Sequence, residues 1–168
     1  ADVAVPEDSG AKSIPKWTTN IRSGPTNESL QKVTFTVSND NAALFSAAPA
    51  ISPDGTLTFT VAGPDINGAA KVTVQLKDDG GTANRGIDTS AAQTFAIIVL
   101  AVNDVPSFTK GPDQSVLENA GKQTVSQWAT ALSAGPANES AQKLSFVVDN
   151  NNAALFALPP AVSPDGTL

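Results

Sequence analysis

The sequence contains no cysteine, histidine, methionine or tyrosine. Without histidine and cysteine it lacks the usual general base, the usual metal ligands and the commonest thiol nucleophile. Catalysis would have to rest on a carboxylate pair or a lysine, and the carboxylates fall in turns, so an enzyme is not expected. Basic residues are scarce: 10 Lys and Arg stand against 16 Asp and Glu, for a net charge of −6. Such a surface repels nucleic acid and anionic lipid and offers carboxylates to cations. No stretch approaches the roughly 20 apolar residues of a spanning helix, so membrane insertion is not expected either. A cysteine-free chain suits the cytosol as well as the exterior, so redox chemistry leaves the compartment open.

What the sequence does have is repetition. Trp17 returns as Trp128, Gly24-Pro25 as Gly135-Pro136, and Ser52-Pro53-Asp54-Gly55 as Ser163-Pro164-Asp165-Gly166, always 111 residues on. Residues 113–168 match residues 2–57 without insertion or deletion, and about half of the paired positions are identical. Self-similarity at a fixed period marks a tandem array. The boundary falls at Asn103-Asp104, which divides the chain into a module at 1–104 and the first half of a second, 105–168. A half-module would leave Trp128, Phe146, Val148 and Phe156 uncovered, at roughly 1.5–3 kcal/mol for each large apolar side chain. Its missing strands are therefore expected from continuation of the chain or from a neighbouring copy.

Within the module, Asp2 to Glu7 reads as a short edge strand. Ile14, Trp17 and Ile21 recur at helical spacing and predict a short amphipathic turn of helix between Ser9 and Arg22, stopped by Gly24-Pro25. Alternation then predicts strands: Val33, Phe35 and Val37 face one way in the first, Leu57, Phe59 and Val61 in the next, Val72, Val74 and Leu76 in the third. Gln93 to Val102 is apolar on both faces, as a central strand would be. Ser52-Pro53-Asp54-Gly55 is turn chemistry, since proline presets φ and Asp-Gly tolerates a tight reversal. Six or seven short strands with no long helix predict an all-β fold, an antiparallel sandwich. Its expected core is Trp17, Phe35, Phe45, Phe59 and Phe95, with Trp128, Phe146 and Phe156 in the same places in the second copy.

The order of motifs at the seam resembles a known family. A strand Val72–Leu76, an acidic loop Asp78-Asp79-Gly80, Ser90, a long last strand and then Val102-Asn103-Asp104-Val105-Pro106-Ser107-Phe108 is similar to the end of a bacterial cadherin-like (Ig-like) repeat. Val5-Pro6-Glu7 and Val116-Leu117-Glu118-Asn119 resemble the glutamate motif of that family's first strand. The resemblance implies Ig/cadherin-like sandwich modules in tandem on large surface proteins, with calcium between modules. Carried over by position, the implied ligands are Glu7, Asp78, Asp79, Asn103, Asp104, Glu118 and Glu139, the last within Asn138-Glu139, a repeat of Asn27-Glu28. Ala101 stands where the family linker has an aspartate, and no carboxylate lies between Phe59 and Ala62. Calcium takes six to eight oxygens, and Glu7, Asn103, Asp104 and Asn138-Glu139 together offer enough for one weak linker site, not three. The plainer readings are that Asn103-Asp104 is a turn before Pro106 and that Asp78-Asp79 is a solvated hairpin loop.

The function expected from this sequence is a structural repeat of an extracellular stalk, adhesin or fibre, joined end to end with neighbouring copies of itself. The alternative is a glycan- or protein-binding adhesion module. Loops that recognise a ligand should differ between copies or expose aromatics, and these loops are nearly the same in both.

Overall fold

A computed structural model describes all residues from 1 to 168. The chain divides into two compact units, Ala1–Val102 and Asn103–Leu168, and each is described by itself.

Unit 1 is built from seven strands: β1 (Val3–Pro6), β2 (Ala11–Ile14), β3 (Val33–Asn39), β4 (Phe45–Ile51), β5 (Leu57–Val61), β6 (Gly68–Asp78) and β7 (Gln93–Leu100). They form a four-stranded sheet in the order β1-β7-β6-β3 and a three-stranded sheet in the order β2-β5-β4. Neighbours are antiparallel except for β1, which runs parallel to β7 in the register Val3↔Ile97 to Pro6↔Leu100. The alternating side chains of both sheets meet in one core: Leu57, Phe59 and Val61 from β5, Val72 and Val74 from β6, Phe95, Ile97 and Val99 from β7. Trp17, Phe35 and Phe45 are partly buried against it. The Trp17 ring lies 4.3 Å from that of Phe95 and tilted by 45°.

Two expectations are corrected, and one strand was not anticipated. The segment Ser9–Arg22 is not helical. A 3-10 turn at Glu7–Ser9 leads into β2, whose Ile14 pairs with Leu57, and the chain then turns with Lys16 at φ 54 and Asn20 at φ 56. Those left-handed residues cannot belong to an α-helix. Ile14 and Trp17 reach the core from a strand end and the turn after it, which imitates helical spacing. Second, β7 is central in its sheet but apolar-buried on one face only, since Ile98 is 36% and Leu100 50% exposed. Third, β4 has no counterpart in the sequence reading. Its residues Phe-Ser-Ala-Ala-Pro-Ala-Ile alternate poorly, its pairing shifts register twice, and it carries Pro49. Proline is tolerated there because β4 is an edge strand, with one side free of ladder partners.

The turn joining β4 to β5 is held by Asp54. Its carboxylate accepts from Ser52 Oγ, from the Thr56 N–H at 3.1 Å and from Thr56 Oγ1 at 3.2 Å. Gly55 sits at φ 86, and a Cβ there would overlap the Thr18 carbonyl. The Ser52 hydroxyl first, and then Thr56, hold the Asp54 carboxyl below its ordinary value. A depressed carboxyl contributes stability above its unfolded pKa of about 3.9 and loses it as pH falls through the folded value. An NMR titration of Asp54 should therefore give a midpoint below about 3.9, and Asp54→Asn should lessen the fall in melting temperature on acidification. A midpoint at or above the ordinary value would contradict this.

Unit 2 repeats these features at the matching positions. Gly166 accepts from the Ala129 N–H at 2.9 Å as Gly55 does from Thr18 at 3.2 Å. Asp165 holds the Ser163–Thr167 turn as Asp54 holds its own, and its carboxyl is likewise lowered, by Ser163 first and then Thr167. Val125 and Leu168 exchange hydrogen bonds of 2.7 and 3.1 Å at the place of the Ile14↔Leu57 pair. Two strands, β8 (Ser107–Thr109) and β9 (Thr130–Ser133), pair antiparallel. The buried apolar residues are Ala129, Ala134 and Val162. Phe146 is half-buried against Phe108, ring centroids 5.2 Å apart and edge-on, whereas Phe156, expected in the core, is 44% exposed. No helix in the chain is long and apolar enough to cross a membrane.

Candidate functional site: two glutamate clasps

The parallel register of β1 on β7 places the residue after Pro6 beside the backbone that follows Leu100. That residue is Glu7, only 1% exposed. Its Oε1 accepts the Val102 N–H at 2.7 Å, and its Oε2 accepts Asn67 Nδ2 at 3.1 Å. Asn67 stands just before β6, whose Gly68 pairs with Val99. One buried carboxylate thus ties the end of β1, the start of β6 and the backbone beyond β7. A carboxylate that shares its charge between two N–H donors tolerates burial that an unpaired one does not.

In unit 2 a second buried glutamate does similar work. Pro136 opens a 3-10 turn over Ala137–Glu139, and the Glu139 N–H closes it on the Pro136 carbonyl at 2.9 Å. The Glu139 side chain folds back over Gly135, where a Cβ would overlap Oε2 and approach Asp104 Cβ to 3.2 Å. That close approach is why glycine precedes this proline in both copies: at Gly24 a Cβ would overlap Glu28 Oε2 in the same way. Glu139 is 5% exposed, and its Oε1 accepts the Asp104 N–H at 2.9 Å. Asn103 Oδ1 accepts Gln142 Nε2 at 3.0 Å. Glu139 Oε2 is buried without a hydrogen-bond donor.

Of the seven expected ligands, the structure brings together Asn103, Asp104 and Glu139. Asp78 and Asp79 lie in the loop after β6, where they accept from the Gly80 and Lys32 N–H groups, each at 2.8 Å. Glu118 is exposed in a turn closed by the Ala120 N–H on the Leu117 carbonyl at 3.0 Å. Glu7 spends both oxygens on N–H donors within unit 1. No group of three or more Asp, Glu, His or Cys converges on a point where a metal would sit. What remains for a cation is the Asp104–Glu139 pair with Asn103, short of the six to eight oxygens calcium prefers.

No family model, curated protein or solved structure matches this chain.

Two participants escaped the sequence reading. Asn67 reads as one half of an Asn-Gly turn, and nothing local says that its amide reaches Glu7. Gln142 did carry a signal: it is the same residue as Gln31 in the first copy, beside the repeated Asn-Glu-Ser.

Proposed function

We propose that the chain is a stretch of a tandem array of Ig/cadherin-like β-sandwich modules. It serves as a non-catalytic structural repeat of an extracellular or cell-surface stalk, adhesin or fibre. The observation that carries this reading is the return of the same turns, caps and ladder rungs 111 residues apart, down to left-handed Lys16 and Asn20 in one copy and Gln127 and Ala131 in the other. Positive φ at non-glycine residues is uncommon, so its recurrence at matched positions speaks for one module design used twice. In this reading the partners are neighbouring copies, end to end. The alternative, a glycan- or protein-binding module, lacks loops that differ between copies.

Calcium enters this proposal only at Asp104 and Glu139, and the buried, donor-free Glu139 Oε2 is what favours it. Extracellular modules hold calcium at about 10⁻⁴–10⁻³ M, and an ion bound to the folded form stabilises it by mass action.

The test is single-molecule pulling of an array of four such repeats. Unfolding should occur in evenly spaced steps, each releasing about 360–400 Å of extended chain for 111 residues, less the folded length. Millimolar calcium should raise the unfolding force over that in chelator, and Glu139→Gln should remove the difference. Irregular steps would overturn the repeat reading, and forces equal in calcium and chelator would remove the metal.

A further inference from the structure

Unit 1 has four sheet edges, and three of them are blunted. β1 is four residues long and ends on Pro6; β2 is four residues long and carries Lys12; β4 carries Pro49 and shifts register twice. Short length, proline, lysine and bulges are the devices that keep an edge from pairing with another chain. β3 has none of them. Its seven residues, Val33–Asn39, hold no proline and no charge, and they pair with β6 in unbroken register.

The direction of the β3 backbone follows from its two ends. The Lys32 N–H reaches Asp79 Oδ1 at 2.8 Å and the Asp40 N–H reaches the Lys71 carbonyl at 3.2 Å, both on the β6 side. An antiparallel ladder alternates, so Thr34, Thr36 and Ser38 also bond toward β6. Leu76, opposite Phe35, gives its N–H to Ser90 Oγ at 3.0 Å and takes the Ser90 N–H at 2.8 Å instead. The N–H and C=O groups of Val33, Phe35, Val37 and Asn39 therefore point out of the sheet, where no strand meets them. The segment that precedes a module does not take this edge, since in unit 2 it pairs, as β8, with β9.

We propose that β3 is a self-pairing edge, which joins unit 1 side by side to unit 1 of a second copy, antiparallel about a two-fold axis at Thr36. This register alone pairs all four outward residues, Val33 with Asn39 and Phe35 with Val37, each twice. It also sets Lys32 of each copy opposite Asp40 of the other, two matched charge pairs in a chain of net charge −6. The exposed rungs are Thr34 on Ser38 and Thr36 on itself, hydroxyl pairs that suit neighbouring strands. Complementary ends, with no charge facing its own kind, single out a second copy as the occupant. The contact is sideways: it adds to the end-to-end joints of the proposed array and does not depend on them.

The chain has no cysteine, so single cysteines report the register in the full chain. The Thr36 pair forms a non-hydrogen-bonded rung, where Cα atoms stand about 4.5 Å apart, within disulfide reach. In a glutathione redox buffer Thr36→Cys should give a disulfide-linked dimer. Thr34→Cys and Ser38→Cys should each stay largely monomeric alone and crosslink when mixed. Sedimentation equilibrium of the unaltered chain should show a reversible dimer, weakened about tenfold or more by Thr36→Lys, which sets like charges face to face. Lys32→Asp and Asp40→Lys should each weaken it, and mixing the two should restore dimers, because both charge pairs are then matched. A monomer at millimolar concentration would overturn the proposal and leave the edge to a foreign strand. Equal crosslinking of Thr34→Cys alone and Thr36→Cys alone would overturn it as well. Neither result bears on the pulling experiment, which reads the repeat along the chain.

Discussion

Glu7→Ala is expected to lower the melting temperature of unit 1 by about 8–16 °C. The substitution strips a charged acceptor from the Val102 N–H and the Asn67 amide and leaves both donors facing a space that alanine does not fill. Hydrogen bonds to charged groups contribute about 1.5–3 kcal/mol, and Asn67 and Val102 are exposed residues where water can take over part of the donation, so a net loss of about 2 kcal/mol is expected. For a domain of this size each kcal/mol moves the midpoint by about 4–8 °C. Glu7→Gln keeps one acceptor oxygen and should fall well short of the alanine variant. Calorimetry of the full chain reads both, and a shift under about 4 °C for Glu7→Ala would mean that the clasp holds little.

The second large effect separates two neighbours in one strand. Ile97 is fully buried and Ile98 is 36% exposed. Ile97→Ala should cost about 2–5 kcal/mol, because the methyls removed leave a cavity that close packing does not refill. Ile98→Ala should cost about 1 kcal/mol or less, since that side chain already meets water. Chemical denaturation reads both as midpoint shifts at unchanged slope. Equal losses at the two positions would mean that β7 is covered on both faces, as its composition suggested.

Strands with strict alternation were legible from the residues. Thr-Phe-Thr in β3 and again in β5, and Val-Thr-Val in β6, write the buried face directly into the sequence, because burial of one face of a sheet imposes a period of two. β4 was not legible: alanine and proline carry little periodic signal, and a bulged edge strand does not need strict alternation. β2 was misread because Ile14, Trp17 and Ile21 satisfy a helical spacing that the left-handed turns at Lys16 and Asn20 produce by another route. The site was half legible. The repeated Gly-Pro-x-Asn-Glu announced a fixed local structure, but which backbone amide each glutamate holds depends on register. For Glu7 that register is set by β1 lying parallel to β7, a pairing between segments more than 90 residues apart.

The pairing of β1 with β7 also decides how unit 1 meets a pull on its ends. In a parallel pair the leading end of β1, at Val3, and the trailing end of β7, at Leu100, lie at opposite ends of the same short ladder. Tension along the chain drags the two strands past each other lengthwise. All their rungs are strained together, so none can give way before the others. Had the first and last strands run antiparallel, both ends would sit at one end of the ladder, and the same tension would open it rung by rung. A shear-loaded ladder fails only when several bonds break at once, and the rate of that step governs how long a stretched fold survives. A module wired this way resists being drawn out even if its equilibrium stability is modest.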